Sequence, residues 1–183
     1  MKKGRIILLN GVSSSGKTSL ARKLQDQSPY PIYRMDVDSF ASMTPEKFNH
    51  GKDYYVQYKF LSKMFHAVRL FSDMGFDLVV PCIFLEGGSF LEDCVTLLHA
   101  NPVLFVHTAC PTQELRRRET QRGDRKAGEA ESQLDILVPQ DTYDITVDTH
   151  ALSLEECADK ILQMANSPEK FSAFHTLWAD IQP

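Results

Sequence analysis

The sequence predicts an α/β fold built on a parallel sheet with helices on both faces, and three observations lead there. Short runs that are apolar throughout recur along the chain, as strands buried on both sides require. Helical patterns separate these runs, so the order alternates β-α-β-α. The first run, moreover, passes through the glycine-bearing stretch "GVSSSGKT" directly into a helical pattern. At 183 residues the chain is expected to form one domain, 1–183, with an extra C-terminal helix over 166–183.

Strands are expected at Arg5–Asn10, Pro31–Val37, Phe76–Phe84, Pro102–Ala109 and Tyr143–Val147, the second being weaker because it is more polar. Between Tyr54 and Met74, Val56, Phe60, Met64, Ala67 and Phe71 fall at spacings of four and three, which predicts a core-facing helical stripe. Ser153-Leu-Glu-Glu156 matches a capping box, and Leu154, Ala158, Ile161 and Ala165 after it share one apolar face. Ser167-Pro168 reads as a helix start, followed by Phe171, Phe174, Trp178 and Ile181 on one side. That side either packs back on its own domain or joins a second copy in a homo-oligomer.

Composition excludes several classes. A net charge of −4 argues against a general nucleic-acid binder, which carries a basic face. The cysteines Cys82, Cys94, Cys110 and Cys157 lie far apart without a CxxC pair, so reduced thiols are expected rather than a zinc site or disulfide framework. No apolar run approaches membrane-spanning length, and "MKKGRIILLNG" is too soon broken for a signal peptide. The expected location is cytoplasmic, with no membrane partner.

Gly11-Val-Ser-Ser-Ser-Gly16-Lys17-Thr18 fits G-x-x-x-x-G-K-[ST] without a mismatch. Gly11 and Gly16 allow backbone angles that a Cβ resists, so successive N–H groups can turn inward on phosphates. The helix opening at Lys17 adds the positive end of its dipole. Lys17 is expected to reach the β- and γ-phosphates of ATP, and the Thr18 hydroxyl to bind Mg²⁺. The phosphate-binding set is therefore Gly11, Val12, Ser13, Ser14, Ser15, Gly16, Lys17, Thr18 and Ser19.

"YRMDVDSF" places Asp36 and Asp38 at the end of the second strand, where alternation in an extended chain would point both carboxylates one way. A carboxylate there can take a proton from an acceptor hydroxyl or hold the metal's water shell. We read Asp38 in the first role and Asp36, with Thr18, on the metal. The competing reading for Asp38 is the cap of a helix beginning at Ser39 or Phe40.

"RRRETQRGDRK", Arg116 to Lys126, carries six positive and two negative charges. Arg118, Arg122 and Arg125 are spaced by four and three, so a helix would carry them on one face. Such a face suits a lid whose arginines meet the charge of a transferring phosphoryl group. A merely solvated helix face is the alternative.

Taken together, "ILLNGVSSSGKTS", "VDSF" followed by "MTPEKF", "RRRETQRGDRKAG" with Gln133 after it, and "YDITVDTHALSLEECADKI" resemble the chloramphenicol phosphotransferase-like family of P-loop kinases, from about Ile6 to about Leu162. The resemblance implies a doubly wound P-loop NTPase fold with strand order 2-3-1-4-5 and an arginine-rich lid. It also implies ATP-dependent phosphorylation of a small-molecule hydroxyl, such as the primary hydroxyl of an antibiotic. Asp38 then falls on the family's proposed catalytic base, and Arg118, Arg122 and Arg125 on its lid arginines.

The departures are local. Pro81-Cys82 stands where the chloramphenicol enzyme ends its third strand in two aspartates, and Val138-Pro139 stands in a segment that carries a histidine there. Cys82 is a soft ligand for a hard ion, so Asp36 or Glu86 is the expected substitute. Phe40, Met43, Phe48 and Tyr54 are candidates for an apolar acceptor wall. A nucleotide-binding regulatory module with little catalysis, and a kinase of nucleic-acid ends, are the competing functions.

Overall fold

The computed structural model describes residues 2–48, 59–122 and 128–182. The strands are β1 Ile6–Asn10, β2 Ile32–Arg34, β3 Asp77–Cys82, β4 Val103–Ala109 and β5 Ile145–Asp148. They pair in parallel in the order β2-β3-β1-β4-β5, which is the order the resemblance implies. The helices are α1 Lys17–Gln27, α2 Val37–Ala41, α3 Met64–Asp73, α4 Ser89–Leu98, α5 Thr112–Arg122, α6 Glu129–Leu134, α7 Leu154–Ala165 and α8 Ala173–Ile181. None of the described helices is long and apolar enough to cross a membrane.

Alternation along β1 shows how the two layers form. Ile6 and Leu8 join a core with Met64, Phe65 and Val68 of α3, Leu91, Val95 and Leu98 of α4 and Phe174 of α8. Ile7 and Leu9 face the other way, onto Leu20 and Leu24 of α1 and Ala158 and Ile161 of α7. Ile6 to Leu9 therefore each have apolar partners on their own side, which is why this part of the central strand carries no polar face.

The expected stripe over Tyr54–Met74 is rotated. The buried positions of α3 are Met64, Phe65, Val68 and Ser72, whereas Phe60 and Phe71 are 39% and 41% exposed and Val56 lies outside the described residues. Ser72 explains the shift: its hydroxyl donates to Gly4 O (2.6 Å) and accepts from Asn101 Nδ2 (3.0 Å), so a polar residue holds a core position. Phe71 instead meets Phe76, which packs edge-on against Tyr33 at the β2 edge.

The capping box at Ser153 and Glu156 forms as expected. The tail turns at Pro168–Lys170 and becomes helical only at Ala173, because Asp144 supplies the cap. Asp144 Oδ1 accepts from Ser172 N (2.7 Å) and Ala173 N (3.0 Å), while its Oδ2 accepts from Phe105 N (2.8 Å). Phe171, Ala173 and Phe174 are buried in the chain's own core, and Trp178 stacks on His99, the C-cap of α4, at 3.9 Å.

Candidate active site

The loop between β1 and α1 is shaped by its own backbone and by the side chain of Lys17. Gly16, the N-cap of α1, sits at φ 94°, in the left-handed region that disfavours a Cβ. Ser14 holds φ 60° despite its side chain. Gly11 needs glycine for another reason than the sequence suggested: a Cβ there would meet Thr108 O at 2.6 Å and Ser15 Oγ at 2.8 Å. Lys17 Nζ donates to Gly11 O and Val12 O, both at 2.7 Å, folding the ammonium over the loop. The Ser14 hydroxyl is buried and, among the described residues, has no hydrogen-bond partner. Buried polar atoms are rarely left so, and a phosphate oxygen is the partner that the surrounding chemistry suits.

These groups open onto a cleft of about 510 Å³. Ser13, Ser14, Gly16, Lys17, Thr18 and Ser19 of the loop and α1 line it together with Asp36, Val37 and Asp38. Pro81, Cys82, Ile83 and Phe90 add a largely apolar part of the lining, and Arg118, Gln121, Thr149 and Leu154 complete it, Arg118 and Thr149 lying directly against the loop. Val12 is different, for its side chain points away into a third apolar cluster with Leu115 and Ala130. Its contribution to a phosphate is limited to the backbone.

Both aspartates reach the cleft, but not by alternation in a strand. Strand β2 stops at Arg34, and α2 already runs from Val37, so Asp38 lies in the first turn of a helix. Asp36, not Asp38, is the cap: its Oδ1 accepts from Ser39 N at 2.9 Å, and its Oδ2 lies 3.2 Å from Arg34 Nε. The carboxylate of Asp38 has no hydrogen-bond or ion-pair partner among the described residues.

The end of β3 has its own logic. Leu78 N donates to Arg5 O on the β1 side, so the nitrogen of Pro81 faces the β2 side, where pairing ends at Val79. A proline therefore costs no ladder bond here. Cys82 is buried, and burial pushes its thiol far up despite the nearby Lys17, so it supplies no thiolate. Glu86 is exposed and does not line the cleft. The oxygen donors at hand for a hard cation are Thr18, Asp36 and Asp38, a set that fits Mg²⁺.

Arg118 is the best-anchored arginine of the basic segment. Its guanidinium donates to Thr149 Oγ1 (3.0 Å), Thr149 O (2.9 Å) and Glu114 Oε1 (2.7 Å), and approaches Ser14 O at 3.5 Å. Hydrogen bonds from Arg117 and Arg118 hold the Glu114 carboxyl at about 2. Thr149 in turn donates to Ser15 O at 2.7 Å, tying the β5 end to the phosphate loop. The side chain of Arg122 and all of Arg125 lie outside the described residues, as does Tyr54. Phe40, Met43 and Phe48 do not line the cleft: Phe40 packs on the core and on Phe60, while Met43 and Phe48 are exposed.

Sequence reasoning missed Thr149, Gln121, Ile83 and Phe90. Thr149 stood within "YDITVDT", but nothing local revealed that it reaches the loop. Gln133 was singled out only as part of a pattern, yet its Oε1 accepts from Ser13 N at 2.7 Å.

The family model described as "Chloramphenicol phosphotransferase-like protein" matches residues 4–166. A "Putative O-phosphotransferase" of Mycobacterium tuberculosis strain H37Rv is 25% identical over 185 residues, covering 88% of this chain and 82% of that protein. Among solved structures, the M. tuberculosis APS kinase CysC in complex with AMPPNP and APS superposes with TM-score 0.71 at 20% identity, covering 91% of this chain and 100% of that one. Shikimate kinase from Acinetobacter baumannii in complex with shikimate gives TM-score 0.65 at 17% identity, covering 91% and 95%. At these identities the two structures show the shared fold.

Proposed function

This chain belongs to the chloramphenicol phosphotransferase-like family, and from that premise we propose that it moves the γ-phosphate of ATP to a hydroxyl of a small molecule, a chloramphenicol-type antibiotic or related metabolite. The observation that carries this reading is one cleft lined by Ser14, Lys17 and Asp38, in which the Ser14 hydroxyl and the Asp38 carboxylate have no hydrogen-bond partner among the described residues.

In this reading the backbone from Gly11 to Gly16 cradles the phosphates, and Lys17 leaves two carbonyls to meet them. Thr18 and Asp36 would hold a Mg²⁺, which would supply neutralisation of phosphate charge. Asp38 orients the acceptor hydroxyl and accepts its proton. Arg118, Arg122 and Arg125 lend positive charge to the phosphoryl side. The acceptor lies against Val37, Pro81, Ile83 and Phe90, whose apolar character favours a compound with substantial hydrocarbon surface. A net charge of −4 weighs against nucleic-acid ends as acceptors.

The buried thiol of Cys82, standing where an acidic residue was expected, favours a second reading: a nucleotide-binding module with little catalysis. A screen of hydroxylated antibiotics and metabolites with γ-labelled ATP separates the two. Label in a small-molecule product supports transfer; tight ATP binding without label in any acceptor supports the module.

A further inference from the structure

The geometry points to Gln133 as a positioning residue for the phosphate loop, acting through the backbone of Ser13. Its Oε1 accepts the Ser13 N–H at 2.7 Å, and Ser13 is 5% exposed, so water is poorly placed to replace that acceptor. The next residue, Ser14, is the one held at φ 60° with its hydroxyl unpartnered in the cleft. Fixing the Ser13 amide fixes the Val12–Ser13 peptide, one step before this strained conformation.

The grip is wider than one hydrogen bond. Val12 packs on Ala130 of α6 and Leu115 of α5, with Leu134 against the same cluster, so α6 holds two consecutive loop residues. Helix α6 is itself anchored: the buried Glu119 of α5 accepts from Gly128 N (3.0 Å) and Ala130 N (2.7 Å), and Arg116 pairs with Glu131 at 2.6 Å. One continuous path therefore runs from Glu119 through α6 and Gln133 to Ser13. Two points of the loop are then set independently, Ser13 by Gln133 and Ser15 O by Thr149. Protein groups alone supply these two restraints, and preorganisation of this kind raises affinity by removing an ordering cost.

This inference rests on nucleotide binding at the loop, and its test keeps the two apart. Amide hydrogen exchange at Ser13 is measured without nucleotide in the wild-type protein and in Gln133→Leu and Gln133→Glu, alongside the Kd for ATP. Expected are a protected Ser13 amide in the wild type, protection reduced at least tenfold in Gln133→Leu, and protection retained in Gln133→Glu, whose carboxylate still accepts. The Kd of Gln133→Leu should rise about tenfold, with its thermal midpoint lowered by only a few degrees, as one buried N–H left without an acceptor requires. Unchanged Ser13 exchange in a folded Gln133→Leu protein overturns the inference, as does equal loss in both variants. Should Gln133→Leu fail to fold, an unprotected Ser13 amide in the wild type or in Gln133→Glu overturns it. A wild type that binds no ATP overturns the proposed function while leaving the exchange result to stand.

Discussion

Arg34 Nε lies 3.2 Å from Asp36 Oδ2, and that pair divides two neighbouring aspartates into different jobs. Asp36 pairs with Arg34 and caps α2 through Ser39 N, whereas the carboxylate of Asp38, two residues on, lines the same cleft with no partner among the described residues. A carboxylate committed to an arginine and a helix end is restrained; an uncommitted one can meet a substrate proton.

Replacement should separate them. Asp38→Asn is expected to leave ATP binding and thermal stability unchanged and to lower phosphoryl transfer by about 10²–10⁴-fold, the usual weight of a general base. Asp36→Ala removes the cap and the ion pair, costing about 1 kcal/mol and lowering the melting midpoint by about 2–4 °C. Full turnover by Asp38→Asn, once the acceptor is found, removes it from the reaction.

Arg118 should not tolerate lysine. Its fork serves Thr149 twice and Glu114 once, and an ammonium cannot copy that geometry. Loss of about one charge-assisted hydrogen bond, roughly 1.5 kcal/mol, should lower the melting midpoint of Arg118→Lys by about 3–6 °C. Differential scanning calorimetry reads this directly.

Acid should erase what Glu114 contributes. Its folded value of about 2 lies below the 4.5 of an unrestrained carboxyl, so its stabilisation is present above that ordinary value and is lost as pH falls through the folded one. The difference in melting midpoint between wild type and Glu114→Gln is therefore expected to be constant near neutrality, to shrink below about pH 4.5 and to vanish near pH 2.

Asp144→Ala should loosen the tail. Three backbone N–H groups, at Phe105, Ser172 and Ala173, lose their acceptor together. A destabilisation of roughly 2 kcal/mol or more is expected, since the Phe105 amide is buried in the sheet. Near-ultraviolet circular dichroism should report the loss of the Trp178–His99 stack before the sheet unfolds.

Much of the molecule was legible in the chain itself. The five strands, the capping box at Ser153 and the phosphate loop are local patterns, set by backbone propensity and burial within a few residues. What the sequence could not reveal depended on distant partners. The α3 stripe was misplaced because Ser72 is satisfied by Gly4 and Asn101, far along the chain. Asp36 and Asp38 were assigned one direction because nothing local shows that β2 ends at Arg34.

The sequence by itself determined that a triphosphate-type loop sits between a buried strand and a helix, with acids and arginines downstream of it. Only the tertiary structure decided which of these groups meet: Asp38 on the cleft, Glu86 away from it, Arg118 on Thr149, and Gln133 on the loop. The physical reason is one of range. Helix starts and glycine conformations follow from a handful of adjacent residues, whereas a hydrogen bond between Gln133 and Ser13 exists only once sheet order has brought two remote segments together.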